Sequence, residues 1–572
     1  MKCYQMERGS SPLQILLVLI SFLLMAYTSD VIRTKSVSSR LDDIIEFAAV
    51  GSANYIVNGS YTEFYEALAR NSGADFPKLK TAADWAGAST ITTIEDKNGV
   101  KTIGFVTSYD LDTFFMGLVG FKNIQISSRS TVKYSGLTQA VQIATGSDLT
   151  CVIDINKKPW CWGRNTHLNA TLPVGSNLEK GPLPQKILEL NFKAIAIGGN
   201  MACAITDAVG AASEVYCWNE SKRWNTPTGV PGAWVVTTMF DPSLSGPPTK
   251  IAALAGATKI DLSEFSGCVV LYNGELRCWN FEHGIGLLAN VSNPATGIWP
   301  PVKPDIANVR EVAAGIDHTC AITISNEVYC WGSDLRGNVG IGFFDTYTGD
   351  YVVVTKDLVM NGGSIEAYPF IYYTPQGPLA GIVAPKEFQT ATDNRSMMIA
   401  DDGTTYGWGL NNTQQLGLSA IFRNLSSQRP RVSKPMVMFV PKAKYQIAGS
   451  YNTCIVPLAD PKSILCQGWD YYAGLGRGGF SSSLATGTMA PTKSFWSGEV
   501  VKVASDSFSH ICIIDSQLVP WCWGRNDAGA LGYGDTIWDS LPWDVHQSKG
   551  PGEPLNFGTP RPIIRLRVIY GI

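Results

Sequence analysis

Charge is scarce in this chain. Only 16% of its 572 residues are Asp, Glu, Lys or Arg, and the formal net charge is −3. Such a balance supplies no basic surface for a phosphate backbone, so nucleic acid is not expected as a partner. Histidine is scarcer still, with five residues scattered at 167, 283, 318, 510 and 546. The sequence has no G-x-x-x-x-G-K-[ST] phosphate loop, no H-E-x-x-H pair, no G-x-S-x-G elbow and no EF-hand loop. These absences argue against an enzyme and against a resident cofactor or metal, although a motif search does not reach a hydrolytic site assembled from loops around a ring. Long apolar runs are missing too. The main one, Leu13–Tyr27, is interrupted by Gln14 and Ser21 and falls short of the roughly twenty residues a spanning helix needs.

Cysteine, by contrast, is abundant and ordered. Twelve of the thirteen cysteines fall into six pairs: Cys151 with Cys161, Cys203 with Cys217, Cys268 with Cys278, Cys320 with Cys330, Cys454 with Cys466, and Cys512 with Cys522. Each pair brackets a short hairpin, and every separation is even, which keeps the two residues opposite each other on one face as the hairpin lengthens. A further repeat, DNRSMMIADDGTTYGWGLNN, carries Met397 and Gly407 at the two cysteine positions. Loss of both members together is what pairing predicts. The rival reading is metal binding, for which His318 and His510, two residues before Cys320 and Cys512, are the candidate extra ligands. The other repeats lack that histidine, so disulfides and an oxidising compartment are favoured. Closing one such loop stabilises by about 2 to 3 kcal/mol in the chain-entropy model, and six would not simply add.

Seven copies are countable, and seven short β-units in a row suggest a closed propeller, a mainly β fold. Each has a small-residue strand such as Ala194–Gly199, a strand with the first cysteine, a tight turn, and a strand ending in Trp-Gly. Alternation in WCWG puts Trp160 and Trp162 on one face and Cys161 on the other, so the aromatics can pack between sheets. The segments AAGIDHTCAITISNEVYCWGSDLRG and SFSHICIIDSQLVPWCWGRNDAGALG resemble repeats of the regulator of chromosome condensation family. That resemblance covers about residues 140–572 and implies a seven-bladed β-propeller. Repeats two, three and six depart from it, with Trp218-Asn219, Trp279-Asn280 and Gly468-Trp469 in place of Trp-Gly. Propellers of this family often build one blade from both chain ends, so Ile563–Val568 is expected to supply a strand to the first blade; a plain terminal strand is the alternative.

The N-terminal quarter reads as a membrane stem. Residues 1–32 are expected to be a cytoplasmic tip and a tilted transmembrane helix from Pro12 to Ile32, in preference to a cleaved signal, because no small-x-small site follows the apolar run. The disulfides would then put the C-terminal side in the periplasm and leave Cys3 unpaired on the other side. Residues 33–135 are expected to form a small α+β domain. Leu41, Ile44, Ile45, Ala48, Ala49 and Ala53 lie at helical spacing, TITTIEDKNGVKTIGF alternates around Asn98-Gly99 as a hairpin, and the stretch up to Tyr134 reads as a short helix and a strand. The segments RGSSPLQILLVLIS, SDVIRTKSVSSRLDDIIEFAAVGSA and DTFFMGLVGFKNIQISSRSTVKY resemble TadE/TadG-like proteins of tight-adherence pilus systems, which implies a bitopic helix, a small external domain and a part in assembling thin adhesive pili. Arg8-Gly9 before an apolar run is similar to the prepilin-peptidase site of type IVb pilins, with cleavage between Gly9 and Ser10, but Gln14 stands where those proteins usually carry glutamate.

Residues 136–572 are thus read as a propeller head. Its candidate binding surface is the set of long insertions between blades, holding Trp234 and Phe240; Tyr347, Tyr351, Tyr368, Phe370, Tyr372 and Tyr373 within Phe343–Phe388; and Trp538 and Trp543. Such aromatics suit a protein or glycan ligand, or pack the loops onto the ring. Asn169, Asn290 and Asn424 would matter as glycan acceptors only in a eukaryote. The function expected is an envelope-anchored or pilus-associated binding protein, a minor pilin or adhesin, at the bacterial inner membrane or cell surface. The alternatives are a periplasmic scaffold or assembly factor for such a pilus, and an enzyme-inhibitor-like propeller.

Overall fold

A computed structural model of the chain describes most of residues 12–570; outside the described residues lie 1–11, 52–60, the connections 165–179, 219–247, 281–300, 343–370, 418–430, 469–487 and 533–560, and shorter stretches of one to four residues. The chain divides into two compact units, Met1–Gly136 with Arg565–Ile572, and Leu137–Ile564.

In the first unit a single 40-residue helix, α1 (Pro12–Gly51), carries both the apolar run and the amphipathic pattern that follows it. Leu41, Ile44, Ile45 and Ala48 are buried against Phe64 and Leu68 of α2 (Thr62–Ser72), Trp85 of α3 (Ala82–Ala88), and Ile103, Phe105 and Ile126 of the sheet. A capping box between Thr81 and Asp84 starts α3, and the same bonds hold the Asp84 carboxyl below its ordinary pKa. The expected hairpin is strands β1 (Ser89–Glu95) and β2 (Val100–Asp112), followed by a short 3₁₀ turn, Met116–Val119, and strand β3 (Asn123–Ser135).

One expectation is unsupported in this unit and another fails. Among the described residues no helix is long and apolar enough to cross a membrane. Asp30 shows why the apolar segment stops: it is 4% exposed and its carboxylate accepts the Met116 N–H at 2.8 Å, so the helix is tied into the domain at that level. Upstream of it Ile20, Leu23, Leu24, Met25 and Tyr27 are exposed. The failure concerns the C-terminal strand. Arg567–Tyr570 pairs antiparallel with β3, and Val568 lies opposite Val132. The first blade has four strands of its own from consecutive chain, Ala140–Lys186, and takes none from the C-terminus.

The second unit holds seven small antiparallel sheets in chain order. Six have four strands, and the third has three plus an isolated bridge from Cys278 to Val302. The first strands of successive sheets touch one another all the way round, including the seventh with the first, which makes them the inner wall of a closed ring. Main chains meet so closely there that a Cβ on Gly198 would lie 2.0 Å from the Ser263 carbonyl. All six expected disulfides are present, with Cα–Cα separations of 4.0–4.2 Å, and Met397 pairs directly with Gly407. In the sixth blade the register puts Gln467 and Gly468 at the Trp-Gly positions, one residue earlier than the sequence suggests. Gly468 has φ +102°, as Gly163 has +101° in the first blade, a conformation other residues rarely adopt.

Cystine and tryptophan point to opposite faces of each blade, so each cystine packs with the tryptophan of the next. Cys151–Cys161 meets Trp218, Cys203–Cys217 meets Trp279, Cys268–Cys278 meets Trp331, Cys320–Cys330 meets Trp408, and Cys454–Cys466 meets Trp523. Cys512–Cys522 of the seventh blade meets Trp162 of the first. A main-chain bond accompanies the packing. The turn between second and third strands offers a carbonyl to the N–H that opens the next blade: Lys157 to Phe192, Ser213 to Gly256, Gly274 to Val309, Gly403 to Ala443, Pro461 to Val500 and Leu518 to Ala140, at 2.7–3.0 Å. The fifth blade opens with Pro385, which has no N–H, and there Arg310 donates to the Pro385 carbonyl instead.

The ring closes with the same parts it uses elsewhere. Thr150 of the first blade donates to the Ala530 carbonyl of the seventh at 2.8 Å, and Trp162 Nε1 donates to that carbonyl at 2.8 Å. Since the Thr150 proton is spent there, His510 Nε2, 2.7 Å from Thr150 Oγ1, is the donor of its bond. Between the fourth and fifth blades His318 Nε2, Ser396 Oγ and the Asn338 carbonyl repeat the arrangement at 2.8 and 3.2 Å, with Trp408 Nε1 on the same carbonyl at 2.9 Å.

Two outcomes are expected. Deleting residues 565–572 should leave the thermal transition of the propeller unmoved, because no blade uses them; a fall of several degrees would restore the shared-blade closure. His510→Ala should cost about 1 to 2 kcal/mol in chemical denaturation, and combined with Thr150→Val should cost less than the sum, since both remove one bond.

Candidate binding face and channel

An antiparallel four-stranded meander turns back at each connection, so its first and third connections leave from one edge and its second from the other. Around a ring this gathers the connections between third and fourth strands on one end. They run from Arg164 to Lys180, Trp218 to Thr249, Asn280 to Val302, Ser333 to Ile371, Leu410 to Arg431, Gly468 to Thr488 and Gly524 to Arg561. The long insertions therefore lie within blades, not between them, and they share an end. Phe388 is not part of a loop: it belongs to the first strand of the fifth blade, Pro385–Ala391, and packs edge-on to Trp408.

Of the candidate binding residues, Trp234, Phe240, Tyr347, Tyr351, Tyr368, Phe370, Trp538 and Trp543 lie outside the described residues, while Tyr372 and Tyr373 have their backbone in the fourth strand of the fourth blade. Gly9 and Ser10 also lie outside, and Gln14 is described only as backbone within α1. His318 and His510 are each 2% exposed and bridge blades through hydroxyls, which is structural work and leaves no access for a substrate. Among the described residues no group of His, Cys, Asp or Glu could hold a metal ion.

The loop-bearing end keeps compact footings where the connections begin. Asp334 Oδ1 accepts the Val339 N–H and Asn411 Oδ1 the Leu416 N–H, both at 2.9 Å, closing turns whose carbonyls at Asn338 and Gln415 reach the next blade. Where the seventh blade meets the first, Arg164 and Arg525 converge on Asp148 at 3.3 and 4.0 Å. Two guanidinium groups on one carboxylate leave a local positive balance beside two of the connections.

The channel holds a second set, which sequence reasoning missed. Every first strand has a β-bulge at one place, and the next residues round the ring are Gln142, Ala194, Lys259, Glu311, Glu387, Tyr445 and Lys502. Lys259 pairs with Glu311 at 3.1 Å. Burial, then the Glu311 charge, push the Glu387 carboxyl up, with Lys386, Lys259 and Lys502 opposing. Two residues beyond Lys259, Asp261 accepts the Ala314 N–H of the next blade at 2.7 Å, and its pKa is pushed up to about 7, mainly by burial. Each charge stands alone in its own repeat, so only alignment of the first strands would have gathered them.

A raised carboxyl pKa means that the folded state binds the proton more tightly than the unfolded chain. The contribution of Asp261 to stability is then full below about pH 4 and is lost as pH rises to about 7. Thermal melts at pH 5 and pH 8 should show that loss, and Asp261→Asn, which keeps an acceptor for Ala314 and cannot titrate, should flatten it.

Comparison with known proteins addresses the propeller. Residues 309–338 match the model of the Regulator of chromosome condensation (RCC1) repeat. The chain is 23% identical to the ultraviolet-B receptor UVR8 of Arabidopsis thaliana over 52% of its own length and 60% of the receptor's. It is 25% identical to the human RCC1-like G exchanging factor-like protein over 43% of its length and 47% of that protein's. The chain thus spans about half the length of the curated relatives it matches. Among solved structures it is similar to Prp20p of Saccharomyces cerevisiae, a protein described with its binding to Gsp1p and histones, at TM-score 0.51 and 16% identity, covering 75% of this chain and 87% of that one. The unit from Leu137 to Ile564 is a β-propeller, and one stretch of it, residues 309–338, matches the RCC1 repeat.

Proposed function

We propose that this chain is an exported binding protein of a bacterial envelope, displaying its propeller as the head that engages a protein or glycan, in or beside a tight-adherence or type IVb pilus. The observation that carries the reading is the gathering of all seven third-to-fourth-strand connections on one end of a stapled ring. A scaffold that presents long loops together is suited to recognition, and three of those loops carry the sequence aromatics Trp234, Tyr347 and Trp538 with their neighbours. Six disulfides support a setting outside reducing compartments. The pilus assignment rests on the sequence likeness of the first 134 residues to TadE/TadG-like proteins. In this reading the exposed apolar side chains from Ile20 to Ile32 hold the stem to the envelope, and partner recognition proceeds without catalysis.

The test replaces residues 343–370 with a short Gly/Ser linker that keeps the fourth strand in place. Capture of the partner from sheared fibres and washed membranes should fall at least about tenfold, a loss of about 1.4 kcal/mol, with the melting temperature unchanged. Undiminished capture would remove the loop end as the binding face. Recovery of the chain only in membranes, with fibres lost on its deletion, would favour an assembly factor over a fibre component.

A further inference from the structure

One of the seven interfaces lacks the parts that make the other six. The fifth blade presents Met397 opposite Gly407 where the others present a cystine, and the sixth blade answers with Gln467 where the others answer with tryptophan. Both halves of the contact are replaced, and they are replaced at the same interface. What fills it is polar. Gln467 is 1% exposed and its Nε2 donates to the Gln415 carbonyl at 3.3 Å, the place an indole N–H takes at Asn338 and Ala530. Thr453 lies 3.5 Å from the Met397 sulfur. Arg395, fully buried, donates to the Gly449 and Asn452 carbonyls across the interface. Gln446 is 1% exposed where the neighbouring blades carry Phe388 and Val503, and among the described residues neither of its amide atoms has a partner.

We propose that the interface between the fifth and sixth blades is the seam at which the ring opens, a built-in point of flexure in an otherwise stapled molecule. Three physical reasons converge. The fifth hairpin has no covalent bond across it, so its strands separate independently. The interface forgoes the burial of a large ring under a disulfide. The Gln467 amide and the Arg395 guanidinium keep their hydrogen bonds only while the geometry is held, so a small displacement loses several together. The Gly403–Ala443 main-chain bond, at 2.7 Å, is retained and acts as a reporter.

The test is residue-resolved amide exchange on the full oxidised chain. Equivalent inter-blade amides exist at Ala140, Phe192, Gly256, Val309 and Val500. Ala443 should exchange at least about tenfold faster than these, equal to about 1.4 kcal/mol of opening free energy. Met397→Cys with Gly407→Cys and Gln467→Trp should bring it within about threefold of them. Protection of Ala443 equal to that of its equivalents in the parent chain overturns the proposal, as does a folded triple variant, its seventh disulfide confirmed by mass, in which the Ala443 rate is unchanged. The parent measurement decides the matter even if the variant fails to fold.

Discussion

Each cystine of this propeller packs in the neighbouring blade, beneath a tryptophan that belongs to the next repeat. That contact explains why a blade is not a folding unit on its own. A four-stranded sheet with apolar side chains on both faces leaves one face wet until a neighbour arrives, and the neighbour has the same need. Only a closed circuit satisfies every member. The disulfide fixes the shape of the platform on one side of each sheet, the indole supplies area on the other, and the main-chain bond at the turn sets the angle between them. At closure the seventh and first blades add no special clasp: Cys512–Cys522, Trp162, His510, Thr150 and Leu518 do what their equivalents do elsewhere.

The repeats and the pairing of cysteines were legible because opposed hairpin positions leave an arithmetic trace, the even separations, and because Met397 with Gly407 breaks the pattern in both places at once. Tryptophan was a less faithful guide. In the sixth repeat the aromatic signal of Trp469 draws the alignment one residue too far, whereas Gly468, forced to positive φ, marks the true position. Fourth strands such as Arg431–Val437 left no trace at all. An outer strand pairs along one edge and need not carry the motif, so the insertions before it were read as lying between blades.

Strand character was also legible at the C-terminus, but not its partner. The alternation in Arg567–Tyr570 fits any open sheet edge, and the edge it meets is β3 of the first unit. The N-terminal helix shows the same limit. Its apolar composition was plain, yet the burial of Asp30 against Met116, which sets where the apolar segment ends, depends on residues 86 positions apart. The channel charges were hidden for a related reason: Lys259, Glu311, Glu387 and Lys502 are unremarkable one at a time and become a set only when the bulges are superimposed.

The local character of the disulfides has a consequence for the order in which they form. Every bond joins cysteines 10 to 14 residues apart, inside a single hairpin. A polypeptide emerging N-terminus first into an oxidising space presents these thiols as ready couples, each complete well before the next appears. Oxidation in order of emergence then yields the native pattern without reshuffling, and the ring can be assembled from blades already locked while its last member is still in transit.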